Sequence, residues 1–237
     1  MLVDLSIRSR ETELMDDPSM DLSTLGSVLR DINLVNKIFN GNRITINAIK
    51  DLIRKNPRKS YKIIDMGCGD GNMLRQVALY FRKNKLNGQF IGIDLNANAL
   101  KMGRELSTQF SEISFIKQNI LELEPNKLHC DILLCTLTMH HFKNHQIPVF
   151  LDKFVQLSQI GVIINDLHRS RPAYYFFKLF RSIFLRTKVA RHDGLVSIKS
   201  GFHRSELEQF SRTLPQLNHC IQWKWAFRYI WILYVNP

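Results

Sequence analysis

Two acidic residues and three glycines carry the most chemistry in this sequence. Ile63-Ile64-Asp65-Met66-Gly67-Cys68-Gly69-Asp70-Gly71-Asn72 is followed, roughly twenty residues past the loop, by Phe90-Ile91-Gly92-Ile93-Asp94. Glycines at such a bend permit positive φ and let a ligand touch bare backbone, and the N–H groups opening the next helix face whatever sits there. Asp94 closes the second apolar run, where a carboxylate can accept hydrogen bonds from both hydroxyls of a ribose. A dinucleotide loop wants its third glycine one position later, where Asn72 stands. Asp65 argues the same way, since a carboxylate beside the loop repels a pyrophosphate but suits the ammonium of an amino acid.

Histidines are the second chemical resource. A phenol of pKa about 10 facing an imidazole of about 6.5 is a workable proton-transfer pair. In an open α/β sheet, ligands sit beyond the carboxyl ends of the strands, so residues just after the fourth and fifth apolar runs are best placed: His140, His141, Asp166 and His168. His168, with Asp166 nearby, is the first choice for a base or substrate hydrogen bond. His140 and His141 are adjacent and should point different ways, one toward the site. Arg191-His192-Asp193-Gly194 reads as a polar knot from which His192 can reach back over a pocket. No two candidates sit at ligand spacing with a carboxylate on one helical face, so no metal is expected.

The D-x-G-x-G-x-G motif from Asp65 to Gly71 resembles the first motif of the class I S-adenosylmethionine-dependent methyltransferases. That resemblance, which covers most of the chain after about residue 60, supplies S-adenosylmethionine as the implied cofactor and S-adenosylhomocysteine as its product. It implies a Rossmann-like α/β fold: a seven-stranded, mostly parallel sheet with an antiparallel final strand, helices on both faces and extra N-terminal helices. Implied cofactor contacts are Asp65, Gly67, Cys68, Gly69, Gly71, Asp94, Leu95, Asn119, Ile120 and Thr136. Ile113 to Lys117 reads as the third strand, and Asn119 falls where the family usually has an adenine-binding Asp; its amide oxygen can still accept that bond. Asp131 to Thr136 reads as the fourth strand, Leu137 to Phe142 as the family's post-strand segment, and Ile160 to Asp166 as the fifth strand. Ser205 to Phe210 is a late helix, and Cys220 to Phe227 with Tyr229 to Val235 form the closing antiparallel pair. Glu13 to Pro18, Asn165 to Arg169 and Ala190 to Gly194 look like small bacterial methyltransferases of quinone-biosynthesis, polyketide or phenolic-lipid pathways, which implies secondary metabolism and aromatic hydroxyls or ring carbons as acceptors.

The elements that must position these groups form one compact unit, because 237 residues at 45% hydrophobic composition can bury a full α/β core and no Pro/Gly/Ser-rich linker divides them. Residues 59–237 read as the cofactor-binding domain and 1–58 as a helical extension. Within the extension, Leu22 to Phe39 shows helical periodicity with Asp21 or Ser23 as cap, and Ile44 to Arg54 a second helix. The resemblance implies that these helices form a lid over cofactor and substrate; the alternative is a layer packed on the sheet. The four cysteines, Cys68, Cys130, Cys135 and Cys220, show no C-x-x-C spacing and read as thiols of a reducing compartment. No leader-like start and no long apolar run is present, so the expectation is a cytoplasmic protein.

Thirty-three Lys and Arg against 21 Asp and Glu give a net charge of +12, compatible with nucleic acid, anionic lipid or an acidic substrate. The densest stretch, Arg169 to Arg191, holds Arg169, Arg171, Lys178, Arg181, Arg186, Lys188 and Arg191 and no acid, interleaved with aromatics. At helical spacing Phe176, Phe177, Phe180, Ile183 and Phe184 gather opposite Arg171, Lys178 and Arg181. Such a helix packs on the core, lines an apolar substrate pocket, or makes peripheral contact with a membrane's inner leaflet through residues 170–190. Base methylation is disfavoured: after the fourth strand the chain has Thr136-Leu137-Thr138-Met139 in place of N/D/S-P-P-Y/F, and no cysteine follows a proline. The expected activity is therefore methyl transfer to a small aromatic or alkyl-chain, lipid-like metabolite, at a phenolic oxygen. Two alternatives remain open: a non-catalytic cofactor-binding subunit that uses its basic helix to engage a partner or membrane, and an RNA or nucleobase methyltransferase. Oxygen against carbon as acceptor atom, and the oligomeric state, are left open by the sequence.

Overall fold

Strands that are apolar on both faces need cover on both, which favours a parallel sheet between helical layers. The computed structural model, which describes residues 3–124 and 128–235, has this architecture. Seven strands, β1 (Tyr61–Met66), β2 (Gly88–Asp94), β3 (Ile113–Lys117), β4 (Cys130–Thr136), β5 (Ser158–Leu167), β6 (Asn218–Lys224) and β7 (Arg228–Tyr234), lie in the order β3-β2-β1-β4-β5-β7-β6. β1 to β5 are mutually parallel, and β7 slots between β5 and β6, antiparallel to both. Chain order reverses where β1 lies between β2 and β4. That switch point is where such sheets leave a crevice beyond their carboxyl ends. Asp65 stands there, its Cα paired with Gly92 on one side and Leu134 on the other.

Each sheet face carries its own core. Against one pack α2 (Gly41–Lys55) and α3 (Asn72–Lys83), burying Ile49, Leu52, Leu74 and Phe81 with Ile63 and Phe90. Against the other pack α5 (Ile147–Leu157) and α8 (Arg204–Ser211), burying Phe150, Phe154 and Leu207 with Leu133 and Trp231. α4 (Ala97–Leu106) completes the β2–β3 crossover. The remaining helices, α1 (Leu22–Ile38), α6 (Arg171–Phe184) and α7 (Lys188–Ser200), join through Val28, Phe177, Phe180, Leu195 and Ile198 into a separate cluster. The two N-terminal helices thus divide the roles weighed from sequence: α2 packs on the sheet, whereas α1 joins α6 and α7.

Helix starts follow local chemistry. Asp21 caps α1 by accepting from the Ser23 and Thr24 N–H groups. Arg191-His192-Asp193-Gly194 is not a loop knot but the middle of α7, whose start is capped by the Thr187 hydroxyl. Gly194 is required within that helix for closeness: a Cβ there would lie 2.2 Å from the Phe177 ring.

The segment before α1 runs over the molecule as a strap held by two buried arginines. Arg169 donates to Leu5 O (2.9 Å) and Gly201 O (2.6 Å) and forms a bidentate pair with Glu206. Arg8 donates to Ser200 O (2.9 Å), His140 O (3.0 Å) and Asn144 Oδ1 (2.6 Å). Planar guanidinium groups suit this work because several fixed donors can meet backbone carbonyls at once.

The α3 face is anchored by Phe90, whose ring stands edge-on to Phe81 with centroids 5.1 Å apart. Replacing Phe90 with Ala should lower the unfolding free energy by about 3 to 5 kcal/mol in urea denaturation; a loss below about 1 kcal/mol would show that this layer is not close-packed.

Candidate active site

The glycine loop takes the backbone shape its composition allows. Gly67, Gly69 and Gly71 have φ of +71°, +53° and +73°. A Cβ on Gly67 would lie 2.4 Å from the Thr138 side chain, so the ends of β1 and β4 meet there. Asp94 ties the loop to the next turn, its Oδ2 accepting from Gly69 N and its Oδ1 from Asn96 N, each at 2.8 Å. Burial raises the Asp94 carboxyl, opposed by these N–H groups. Asp65 has no such relief. Its Oδ1 is buried with no hydrogen-bond partner among the described residues, and burial, helped by the charge of Asp94, pushes its pKa up to about 8. Asp70 accepts from Asn33 Nδ2 at 2.8 Å, which fastens α1 to the loop.

These groups wall one end of a cavity of about 780 Å³ that Gly67, Cys68, Gly69, Asp94, Leu95, Asn119, Ile120 and Thr136 also line. Gly71 lies just outside it, its φ serving the turn into α3. Asn119 is more committed than the sequence suggested: its amide oxygen accepts from Leu121 N (3.0 Å) and its Nδ2 donates to Glu122 (2.9 Å), capping the short 3₁₀ turn Ile120–Glu122. Thr136 Oγ1 is buried without a partner among the described residues. The other end is apolar, walled by Val35 of α1, Phe39 just after it, Phe176 and Phe177 of α6, Leu185 and Phe227. One charge enters it. Arg228 is buried, donates to Asn36 Oδ1 at 2.7 Å, and keeps a second nitrogen, Nη1, without a partner among the described residues. Burial, countered by Asp166, brings its pKa down to about 10, so it stays charged at neutral pH.

Between the two ends lies a cluster of histidines and carboxylates. His140 Nδ1 is 2.7 Å from Asp166 Oδ1 and Nε2 is 3.3 Å from Glu13 Oε1. Its own N–H also donates to Asp166 at 3.1 Å. His141 stacks on it, with centroids 4.4 Å apart, its Nδ1 3.1 Å from Asp16 Oδ2 and its Nε2 3.9 Å from Glu13 Oε2. Burial alone would lower the His140 pKa, but the charge and hydrogen bond of Asp166, then those of Glu13, carry it up to about 10. The same contacts reverse the upward push of burial on both carboxylates, so Glu13 and Asp166 end below their ordinary values. His140 is therefore an imidazolium between two carboxylates. His141, partly exposed, is the histidine that faces the cavity with a nitrogen free of a hydrogen bond.

The structure brings His140 and His141 to the cavity, with Asp166 behind His140, and it places the other two candidates elsewhere. His168 is a correction to the sequence order of preference: it lies outside the cavity lining, bridged to Phe202, accepting from Trp223 Nε1 at 3.3 Å and packed on Tyr229. His192 turns outward to Glu11 (3.3 Å), while its neighbour Asp193 lines the cavity and accepts from Leu14 and Met15 N–H at 2.9 Å each. Glu13 and Asp16 were missed as site residues; the one sequence signal was their place in the Glu13-Leu14-Met15-Asp16-Asp17-Pro18 stretch. Glu13, His140 and His141 each place a potential ligand atom within 4.8 Å of the others, but both ring nitrogens of His140 face carboxylates.

Comparison with known proteins agrees with this geometry. Residues 57–168 match the family model described as a methyltransferase domain. The methyltransferase phqN of Penicillium fellutanum is 32% identical over 74 residues; that match covers 30% of this chain, and the chain spans only 21% of the relative's length. The plantazolicin methyltransferase BpumL, solved with SAH, superposes with a TM-score of 0.66 at 16% identity, over 86% of this chain and 89% of that one. The magnesium protoporphyrin IX methyltransferase of Synechocystis PCC 6803, solved with bound SAM, gives 0.56 at 11% identity, over 87% and 83%. At these identities the solved structures establish the fold.

The strap's tie to the sheet should be visible in pH dependence. The folded pKa of His140, about 10, lies above its ordinary 6.5, so its stabilisation is complete below pH 6.5, declines above it and is gone once pH has risen through about 10. Glu13 and Asp166 are lowered, so their share is present above their ordinary pKa values and is lost as pH falls. The stability difference between wild type and His140→Gln, from urea unfolding, should therefore peak between about pH 5 and 6.5 and fall on either side. A difference that stayed flat from pH 6.5 to 10 would contradict the imidazolium.

Proposed function

We propose that this chain, by its fold and by the methyltransferase-domain match at residues 57–168, is a class I S-adenosylmethionine-dependent methyltransferase that methylates a hydroxyl of a small aromatic or lipid-like metabolite, a phenolic oxygen first among them. One observation carries this reading: a single cavity joins the acids of the glycine loop, a carboxylate-oriented histidine and an aromatic chamber.

The cofactor end fits S-adenosylmethionine. Asp94 sits at the carboxyl end of β2 with the oxygens a ribose needs, and Asp65 offers a buried acceptor with no partner, which the ammonium of the methionine part would satisfy. Leu95 and Ile120 supply apolar walls for the adenine. When bound, the cofactor supplies a methyl carbon already made electrophilic by a sulfonium. The relatives solved with SAM or SAH support the assignment.

Little chemistry is then left to side chains, and positioning is their main task, rated at roughly 7 to 11 kcal/mol of barrier by effective-molarity arguments. Phe39, Phe176, Phe177 and Phe227 form a chamber for an aromatic ring or alkyl chain and exclude water from it. A neutral hydroxyl is a poor nucleophile and needs its proton removed. His140 cannot accept it, since both its nitrogens already face carboxylates. His141 can. Asp16 fixes the proton on Nδ1, which leaves the Nε2 lone pair to take the acceptor's proton, and Glu13 then stands beside the imidazolium that forms.

Two outcomes follow. Free Asp65, with a pKa of about 8, is protonated at pH 7, and an adjacent ammonium lowers that pKa, so binding of S-adenosylhomocysteine should release close to one proton at pH 7 and almost none at pH 9. Calorimetry in buffers of different ionisation heat reads this directly; no buffer dependence, or an unchanged one in Asp65→Asn, would remove Asp65 from cofactor binding. Second, with labelled donor and a panel of alkylresorcinols, quinols and tRNA, His141→Ala should lower turnover by about 10²- to 10⁴-fold with donor affinity nearly unchanged, while His168→Ala leaves turnover close to wild type. Label in tRNA alone would overturn the acceptor class, and label in none would favour a binding role.

A further inference from the structure

We propose that the face built by α6 and the β6–β7 turn docks on an anionic lipid bilayer. Around α6 the side chains fall into three arcs, not the two a core-packed amphipathic helix needs. Ala173, Phe177 and Phe180 are buried. Leu179 and Ile183 point away from that core and are 68% and 69% exposed. Arg171 and Lys178 lie along the flank of this ridge, also exposed. Beside the ridge the β6–β7 turn raises Trp225, 57% exposed, whose ring is 5.9 Å from that of Phe176. The apolar surface is therefore continuous across two elements distant in sequence, and its tip is an indole. Trp combines an apolar body with a polar N–H, the chemistry of the headgroup boundary.

Charge selects the occupant. Neither 169–191 nor 218–234 contains an acid, and exposed Arg171, Lys178, Arg186 and Lys188 surround the ridge's helix. An apolar ridge flanked mainly by cations, with exposed Asp4 beside Arg171 as an acid at its edge, is complementary to anionic lipid. A second copy in a two-fold arrangement would bring the same cations face to face, which opposes self-association. The docked face is also the outer side of the chamber wall, because Phe176 touches both Trp225 and the cavity. If the proposed function holds, a greasy acceptor would then enter from the bilayer; the docking itself rests only on the surface.

The test is co-sedimentation of the full chain with vesicles of phosphatidylcholine alone and of phosphatidylcholine mixed with phosphatidylglycerol. Partition should be at least about tenfold stronger onto the mixed vesicles and should weaken with added salt. Leu179→Glu with Ile183→Glu, and separately Trp225→Glu, should each reduce it by about tenfold or more. Calorimetry with S-adenosylhomocysteine on the same variants shows whether they are folded, and no residue changed lines the cavity. Lys178→Glu serves as a milder variant that should reduce only the anionic preference. Equal sedimentation of wild type and the ridge variants would overturn the proposal. So would light scattering that shows a dimer lost on the same substitutions. Absence of heat with S-adenosylhomocysteine in the wild type would instead count against the enzymatic reading and leave the vesicle result to stand by itself.

Discussion

The arrangement of the site depends on one buried ion pair extended to three members: Asp166 from the end of β5, His140 from the turn after β4, and Glu13 from the N-terminal strap. Buried charges of this kind contribute little to net stability compared with an apolar replacement, but breaking one leaves the others stranded. Their effect here is on position. The strap has few apolar anchors of its own, yet Glu13 is held where a carboxylate is most wanted, between two histidines. Arg8 reinforces the same point by donating to the His140 carbonyl. Strap, sheet and the turn after β4 are thereby set in one register, and His141, stacked on the locked ring of His140, inherits its direction.

At the other end of the cavity the logic is reversed. Asp65 is left without a partner at the centre of the sheet, an arrangement that costs stability in the free protein unless the carboxyl is neutral. A proton supplies that neutrality, and in the proposed reading an ammonium would take its place. Asp94, by contrast, is fixed by two backbone N–H groups and is ready to accept from a ligand without rearrangement. One acid is thus preorganised and the other responsive. Together they favour a ligand with a neutral polyol and a cation at a set separation over a polyphosphate.

Much of this was legible in the sequence for a physical reason: the central strands are continuous apolar runs, and their boundaries are marked by glycines or acids that serve the site. Asn119 was located but its state was not, because the amide's engagement with Leu121 and Glu122 is a tertiary detail of a 3₁₀ turn. Glu13 was illegible as a partner for His140 since 127 residues separate them and no periodicity links a strap to a turn. The preference for His168 failed on parity. Side chains along β5 alternate, with Ile163 buried in the core on the α2 side and Val162 and Ile164 in the core on the α8 side. His168 continues the even series and so turns toward Tyr229 and Trp223, leaving the cavity wall to Leu167.

The cover on both faces of β5 also explains why the apolar end of the cavity is built by borrowed elements. With one face of the strand covered by α5 and the other by α2, the sheet itself has nothing left to wrap the apolar end of the cavity, and that wall must come from helices standing past its edge. α1, α6 and α7 meet these terms, but three helices packed on one another leave their outer sides without a neighbour. On α7 the exposed positions are polar, as a solvated helix requires. On α6 they include the most exposed of its apolar residues, Leu179 and Ile183, alongside Arg171 and Lys178. A helix whose only task was to close the chamber would gain nothing from apolar residues on that side, and the expense in exposed apolar surface argues that something other than water meets it.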